Sequence, residues 1–323
     1  MYHTIVVPLD GSELAEEVLP HVAELIRGRD SRVCLLSVTP MMRRMARPVV
    51  GLHPSSDERQ RVEQELEGYL QKTAETLKAA AAEVEVAVRF GRPADKVLAF
   101  ADDVGADLIA MTTHGRSGIR DWIFGSVADR ILRGATCPVL LVRAGRGAVS
   151  APRGATTAPL RQAPYQRILV PLDGSELAEQ VLPYVKALIR SSRTFPPAEV
   201  THIFLLSVLT TGLGDRTVTL LTSYPPGLQL SATALNYAEA EMRRYLRSVA
   251  TVLRDHGAIV HVKVRQGTPA GEVLDYAAEV EADLISMTTH GLSGLSRWMY
   301  GNVAGKVLQR AHSPVLLVRP TSE

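Results

Sequence analysis

The chain has 323 residues, 46% of them hydrophobic and 22% charged, with 36 Lys+Arg against 34 Asp+Glu and a net charge of +2. This is the composition of a folded globular chain, with length for about two domains, and it excludes a disordered chain, a collagen and a disulfide-framed miniprotein. The charge balance gives no basic face for nucleic acid. Aromatics at 5% leave little for stacking single strands. No window approaches the roughly 20 apolar residues of a membrane-spanning helix. The start, MYHTIVVPLD, lacks the charged-then-apolar pattern of a signal peptide. A cytoplasmic protein is expected, with Cys34 and Cys137, each in or beside an apolar run, as buried reduced thiols.

The predicted elements of the first half alternate. Thr4 to Val7 is a short strand ending at Pro-Leu-Asp-Gly. Ser12 to Arg27 carries Leu14, Val18, Val22, Leu25 and Ile26 at spacings of three and four, which predicts one helix. Arg32 to Val38 is a continuous apolar run, the pattern of a strand buried on both faces. Val62, Leu66, Leu70, Thr73 and Leu77 mark a second amphipathic helix. Val84 to Val88 alternates as a strand. Pro93 to Val104 opens with Pro, a good first helical residue. Asp107 to Met111 is a strand, Ser126 to Arg133 a short helix, and Pro138 to Val142 the last strand.

The second half repeats the first. PLDGSELAEEVLP from Pro8 to Pro20 returns as PLDGSELAEQVLP from Pro171 to Pro183, changed only at Glu17 against Gln180. MTTHG returns at Met287, and PVLLVR at Pro314. The motif order is unchanged, so the chain is a duplicated domain and not a solenoid of short repeats. Between the copies, Ala144 to Pro164 is rich in Ala, Gly, Pro and Arg and has no apolar period, as a linker is. Domains are expected at 1–145 and 165–323, joined by 146–164. Strands alternating with helices imply parallel pairing through right-handed crossovers. The fold class is α/β: two doubly wound, Rossmann-like, five-stranded parallel sheets in tandem. Such sheets bind ligands at the carboxyl ends of their strands, where the strand order reverses.

Three segments of copy 1 fall at those ends: Pro8 to Ser12, Ser37-Val38, and MTTHGRSGIRDWIFGS from Met111 to Ser126. The third holds Gly115, Gly118 and Gly125 before a helix. A glycine loop feeding a helix N-terminus commonly holds phosphate, through backbone N–H groups and the positive end of the dipole. An ordinary loop, with Ser126 as N-cap and Asp129 completing a capping-box-like pattern, would carry the same glycines. The segment has no lysine and is neither a Walker loop nor GxGxxG, which disfavours a Walker-type NTPase and a dinucleotide dehydrogenase. Asp10 and Asp173 stand between a strand end and a helix start. There a carboxylate can accept from ribose hydroxyls, or simply stabilise the turn. His114 and His290 lie in the loops with no further metal-ligand types close by. PMMRRMARP from Pro40 to Pro48 reads as a solvated loop, or as a flap following Val38. Its counterpart from Leu209 to Ala232 is longer and less basic.

PLDGSELAEEVLP, MTTHGRSGIRDWIFGSVADRIL and CPVLLVR, whose counterparts follow in the same order in the second half, resemble the universal stress protein family, as a tandem member with two such domains. The resemblance implies strand order 3-2-1-4-5 and, in one subgroup, binding of ATP, with or without Mg²⁺. That subgroup's signature is G-x2-G-x9-G-[S/T]. Gly115 and Gly125-Ser126 match its second half, while Thr112 and Thr288 replace the first glycine and Asn302 replaces the final Ser/Thr. By position, Asp10 and Asp173 would meet ribose. Val38 and Val208 would meet adenine. Gly115, Gly125, Ser126, Gly291, Gly301 and Asn302 would meet phosphate. The expected contact set is Pro8, Asp10, Val38, Met111, Thr112, His114, Gly115, Arg116, Gly125, Ser126 and Val127 in copy 1. In copy 2 it is Pro171, Asp173, Val208, Met287, Thr288, His290, Gly291, Gly301, Asn302 and Val303.

The expected function is a regulatory stress-response protein with two adenine-nucleotide sites, no catalytic residues, no protein metal site, and little or no hydrolysis. A slow Mg²⁺-dependent ATP hydrolase, with Arg116 stabilising charge, is the enzymatic alternative. A nucleotide-free dimerisation or docking module is the other. The PVLLVR strands predict an intramolecular pseudo-dimer of the two domains, since apolar edge strands invite pairing, and leave room for a homodimer.

Overall fold

Strand and helix alternate as the sequence predicts, because each apolar run meets its own kind across a parallel ladder. In the computed structural model, which describes residues 2–40, 56–78, 83–113, 125–144, 165–191, 193, 195–210, 232–289 and 301–320, the chain divides into two units, residues 1–163 and 164–323. In unit 1 the elements are β1 (Thr4–Pro8), α1 (Glu13–Glu16), α2 (Leu19–Ile26), β2 (Arg32–Thr39), α3 (Ser56–Leu77), β3 (Glu83–Phe90), α4 (Pro93–Asp103), β4 (Leu108–Thr112), α5 (Ser126–Gly134) and β5 (Val139–Val142). Within the unit the strand order is β3-β2-β1-β4-β5, with each neighbouring pair parallel.

Unit 2 repeats this with β6 (Arg167–Pro171), α6 (Glu176–Glu179), α7 (Leu182–Leu188), β7 (His202–Leu209), α8 (Ala232–Asp255), β8 (Ile259–Gln266), α9 (Pro269–Glu279), β9 (Leu284–Thr288), α10 (Asn302–Arg310) and β10 (Val315–Val318), plus a 3-10 turn at Pro197–Glu199. Its order is β8-β7-β6-β9-β10, again all parallel. The fold is a doubly wound Rossmann-like α/β sheet, built twice.

The central strands carry the core. β4 and β9 are buried along their whole length, as runs covered on both faces must be. The alternating run ends up as β3 at the sheet edge, only partly covered. Cys34 is buried and Cys137 half-buried, both as free thiols. The latter corrects the expectation of two fully buried ones: Cys137 stands just before β5, where the chain is still entering the sheet.

One predicted helix is two. The period from Ser12 to Arg27 runs through Pro20, but Pro20 has no N–H to give and its ring crowds the carbonyl of residue 16. The helix therefore ends at Glu16 and restarts at Leu19, with Pro20 in the first turn of α2. Pro183 breaks α6 from α7 in the same way.

Candidate functional site

The first strand of each unit delivers its chain into a tight Asp-Gly-Ser turn. In unit 1, Oδ1 of Asp10 accepts from the Ser12 amide at 3.0 Å and from the Ser12 hydroxyl at 2.6 Å. Ser12 Oγ accepts in turn from the Ala15 amide at 3.2 Å, capping α1. Gly11 has φ of 79° and Gly174 of 83°, a region that glycine occupies at no steric cost. Asp173 and Ser175 repeat the bonds at 3.0 and 2.6 Å. Asp10 is thus more than a site candidate: part of its carboxylate holds the turn.

Register brings the other candidates to the same edge. Pro8 is the last residue of β1 and pairs with Leu36, so Asp10 lies two steps on, level with Val38 of β2. β1 pairs β4 as Ile5 with Leu108 and Val6 with Ile109, which carries Asp10 level with Thr113. Met111 and Thr112 are the closing residues of β4. In unit 2, Pro171 pairs with Leu206 and Leu169 with Ile285, giving the same alignment of Asp173 with Val208 and Thr289, beyond Met287 and Thr288. The gap between β1 and β4, and that between β6 and β9, is where strand order reverses, the position at which such sheets place ligands.

The helix that follows β4 starts beside this gap. The Gly125 amide donates to the Thr113 carbonyl at 3.2 Å, and Gly301 to Thr289 at 2.8 Å. Gly125 is the N-cap of α5 and Ser126 its first helical residue. Gly301 likewise caps α10, with Asn302 first inside it, and neither glycine provides a side-chain cap. The ordinary-loop alternative, with Ser126 as the cap and Asp129 completing a capping box, is not what the helix start shows. Asp129 instead receives Arg133 Nε at 2.8 Å, one turn on. The leading amides of α5, from Ser126 and Val127, and those of α10, from Asn302 and Val303, therefore have no capping side chain from the residue before them. They also bear the positive end of the dipole.

Gly125 and Gly301 have φ of −51° and −54°, which any residue can adopt. Among the described residues, a Cβ on Gly125 would meet only the Thr113 carbonyl oxygen, at 3.4 Å, an ordinary contact. Among the described residues nothing requires a glycine at 125, and both copies have one at this position. The side chain it lacks leaves space at the helix start, as close approach of a phosphate would demand. His114, Gly115, Arg116, His290 and Gly291 lie outside the described residues, as do most of the 40–48 stretch, its counterpart in copy 2 and the 146–164 segment.

Two pairs were missed in the sequence. Tyr69, on α3, donates to Glu16 Oε1 at 2.9 Å. Burial, then the negative charges of Glu16 and Asp10, push its pKa up. Tyr245 on α8 is raised by the same causes, with Glu179 and Asp173 as the charges. Tyr69 thus ties the long helix of unit 1 to the short one that the Asp-Gly-Ser turn begins, whereas the buried Tyr245 hydroxyl has no hydrogen-bond partner among the described residues. Thr113 and Thr289, whose carbonyls take the glycine amides, were also passed over as contacts. All were readable as residues that recur in both copies. Among the described residues, no group of three or more His, Cys, Asp and Glu gathers as a metal site, and no helix is long and apolar enough to cross a membrane.

Comparison with known proteins accords with this architecture. The sequence profile of the universal stress protein family matches residues 1–143 and again 164–319. Universal stress protein MJ0531 of Methanocaldococcus jannaschii is 32% identical over 156 residues, spanning 48% of this chain and 82% of that protein. Among solved structures, a universal stress protein from Archaeoglobus fulgidus DSM 4304 superposes with a TM-score of 0.66 at 20% identity, covering 100% of this chain and 98% of that one. A functionally unknown protein, PA1789 from Pseudomonas aeruginosa PAO1, does so at 0.58 and 19%, covering 99% and 93%. These two likenesses concern the fold. The two profile matches take in most of the sequence, one for each unit: the chain belongs to the universal stress protein family.

Proposed function

We propose that the protein is an ATP-binding regulator with one adenine-nucleotide site in each domain, at 1–145 and 165–323, and little or no hydrolysis. The observation that carries this reading is the same grouping found twice. A turn carboxylate (Asp10, Asp173) and a glycine-started helix (Gly125, Gly301) flank the gap where strand order reverses. The residues present suit ATP. Asp10 and Asp173 would accept from ribose hydroxyls, with Val38 and Val208 against the base. The amides opening α5 and α10 would take phosphate oxygens at the space the glycines leave. Asp10 can do so while bonded to Ser12, because a carboxylate offers about four lone-pair sites.

Weak chemistry follows from the loop sequence. Phosphoryl transfer needs positioned cations and a group that orients water, and residues 111–126 contain no lysine. We also propose, from the recurrence of PVLLVR, that the two domains pair through these strands. Slowed amide exchange of Val139 to Val142 in the intact chain is expected, and fast exchange there would overturn the pairing.

Denaturing the purified protein and weighing the small molecules released tests the nucleotide reading, followed by calorimetric titration with ATP. An adenine nucleotide carried through purification, or saturable ATP binding at two sites, is expected. A protein that carries none and binds none would be the docking module instead. Turnover that appears only with Mg²⁺ would make it the slow hydrolase.

A further inference from the structure

At the amino ends of the unit 2 strands, opposite the edge that holds Asp173 and Gly301, two imidazoles meet. His202 opens β7 and His261 is the third residue of β8. Since His202 pairs with Ile259 and Phe204 with His261, the two histidines are diagonal neighbours on one face, within reach of long and aromatic side chains. His202 Nδ1 lies 3.2 Å from His261 Nε2. The rings are 5.5 Å apart between centroids and 12° from parallel. The arrangement is built from below: the His261 ring lies 4.6 Å from Phe204 at 11°, and Tyr276 of α9 stands edge-on to Phe204 at 6.2 Å. Phe204 is buried, 6% exposed. The histidine rings themselves are reachable from solvent.

We propose that His202 and His261 form a binding site for a late first-row divalent cation of the Zn²⁺ class, with water completing the shell. Imidazole nitrogens bound to one zinc at about 2.0–2.1 Å, at angles between square and tetrahedral, stand roughly 2.9–3.4 Å apart. The 3.2 Å separation already falls inside that span. Imidazole suits Zn²⁺, Ni²⁺ and Cu²⁺, while Mg²⁺ and Ca²⁺ prefer oxygen. Binding needs only that the proton shared along the Nδ1···Nε2 line move to a distal ring nitrogen, so two neutral rings bind without net proton loss. Burial, then the positive charge of Arg167, lowers the His202 pKa. Burial, His202, Arg167 and Arg254 lower that of His261. Arg167 also stands over Phe204, 5.1 Å from its centroid, and Lys263 follows His261 on the same face of β8. These cations hold the affinity below that of a four-ligand structural site.

Unit 1 supplies the contrast. At the same two register positions, the first residue of β2 and the third of β3, it has Arg32 and Glu85, joined as an ion pair at 3.2 Å. One fold thus accepts either a charge pair or two imidazoles at this place, and the first offers no ligand pair to a metal.

The test is calorimetric titration of the full chain, stripped with chelator, with Zn²⁺ in a non-coordinating buffer, with the imidazole resonances followed by NMR. One zinc ion per chain is expected to shift the His202 and His261 signals together. His202→Ala or His261→Ala should each weaken binding about tenfold or more, since even outer-shell losses cost 10–100-fold. The double variant His202→Arg, His261→Glu installs the unit 1 pair and is expected to fold and to lose this site, which keeps the test open should an alanine variant not fold. Zinc binding of unchanged strength in the double variant, or zinc shifting other histidines and not these two, would overturn the proposal. So would a wild-type chain that binds no zinc.

Discussion

Asp10 holds its own turn and, on the proposed function, a ribose, and two substitutions separate the roles. Asp10→Ala removes the acceptor of two hydrogen bonds, from the Ser12 amide at 3.0 Å and the Ser12 hydroxyl at 2.6 Å. Bonds to a charged group are worth roughly 1.5–3 kcal/mol each. The group is only partly buried and water can replace the carboxylate, while Ser12 still caps Ala15, so the net loss should be about 1–2 kcal/mol. At about 2–4 °C per kcal/mol for a chain segment of this size, the first domain should melt roughly 2–8 °C lower. Asp10→Asn keeps Oδ1 as an acceptor and should cost under about 1 kcal/mol. Both variants lose the charge offered to ribose and should bind ATP in unit 1 about 10–100-fold more weakly. Two-site calorimetry on the full chain, with Asp173→Asn as the mirror variant, reads the binding, and scanning calorimetry reads the stability. Wild-type ATP affinity at the first site in both variants would refute the ribose role. An Asn variant that melts as low as the Ala variant would refute the hydrogen-bond account of the turn.

Gly125→Ala should leave stability within about 1 kcal/mol, the scale of a cap change, and still weaken ATP binding in unit 1; titration and melting of one sample check both halves. Tyr69→Phe removes the bond to Glu16 and should cost about 1–2 kcal/mol in urea unfolding of the first domain, with no loss if the contact is incidental. Burial pushes the His21 pKa down to about 4. Its folded pKa lies below the unfolded 6.5, so the unfolded chain takes the proton first. Stabilisation present above pH 6.5 is therefore lost as pH falls to about 4, by up to about 3 kcal/mol. His21→Tyr, which copies Tyr184 of unit 2, should flatten that slope in unfolding curves taken from pH 7 to 4. The two ATP affinities should differ, the first being tighter and more salt-sensitive, because Arg116 becomes Leu292 and an arginine gives phosphate a charge-assisted bond. Equal affinities at low and high salt would count against it.

The sequence made the alternation of strands and helices legible because apolar runs and alternation are local signals that the core then enforces, while the strand order came only through the family resemblance. The break at Pro20 was hidden by an apolar period that runs on at Val22, Leu25 and Ile26 in the right phase: periodicity sees a face and not a missing N–H. Ser126 looked like the cap because side-chain preference favours serine there, yet the chain turns one residue earlier, where the Gly125 amide is drawn to Thr113 across an 11-residue connection. The Tyr69 to Glu16 bond spans 53 residues. No local pattern contains it, since two helices must first pack on the same sheet. The His202–His261 pair depends on register between β7 and β8, which the alternation of β8 permits but does not fix.

A chain that carries its domain twice is its own control. Where both copies share a residue that the backbone demands, the sharing says nothing about a ligand. Gly11 and Gly174 are of this kind, since φ near 80° calls for glycine whatever the site does. Gly125 and Gly301 are not: their φ values of −51° and −54° suit any residue, and among the described residues a Cβ at Gly125 has room. The amino-end face behaves oppositely. Its positions are free to differ, and they do, with Arg32 and Glu85 against His202 and His261. The shared demand thus sits at the carboxyl edge of both sheets and the divergence at the far end of one. On the proposed function, the role common to both domains sits at the first place, and the proposed zinc site, private to unit 2, at the second. Gly125→Ala probes the shared site more sharply than any change at Gly11, because only at Gly125 can binding fall while the fold stays intact.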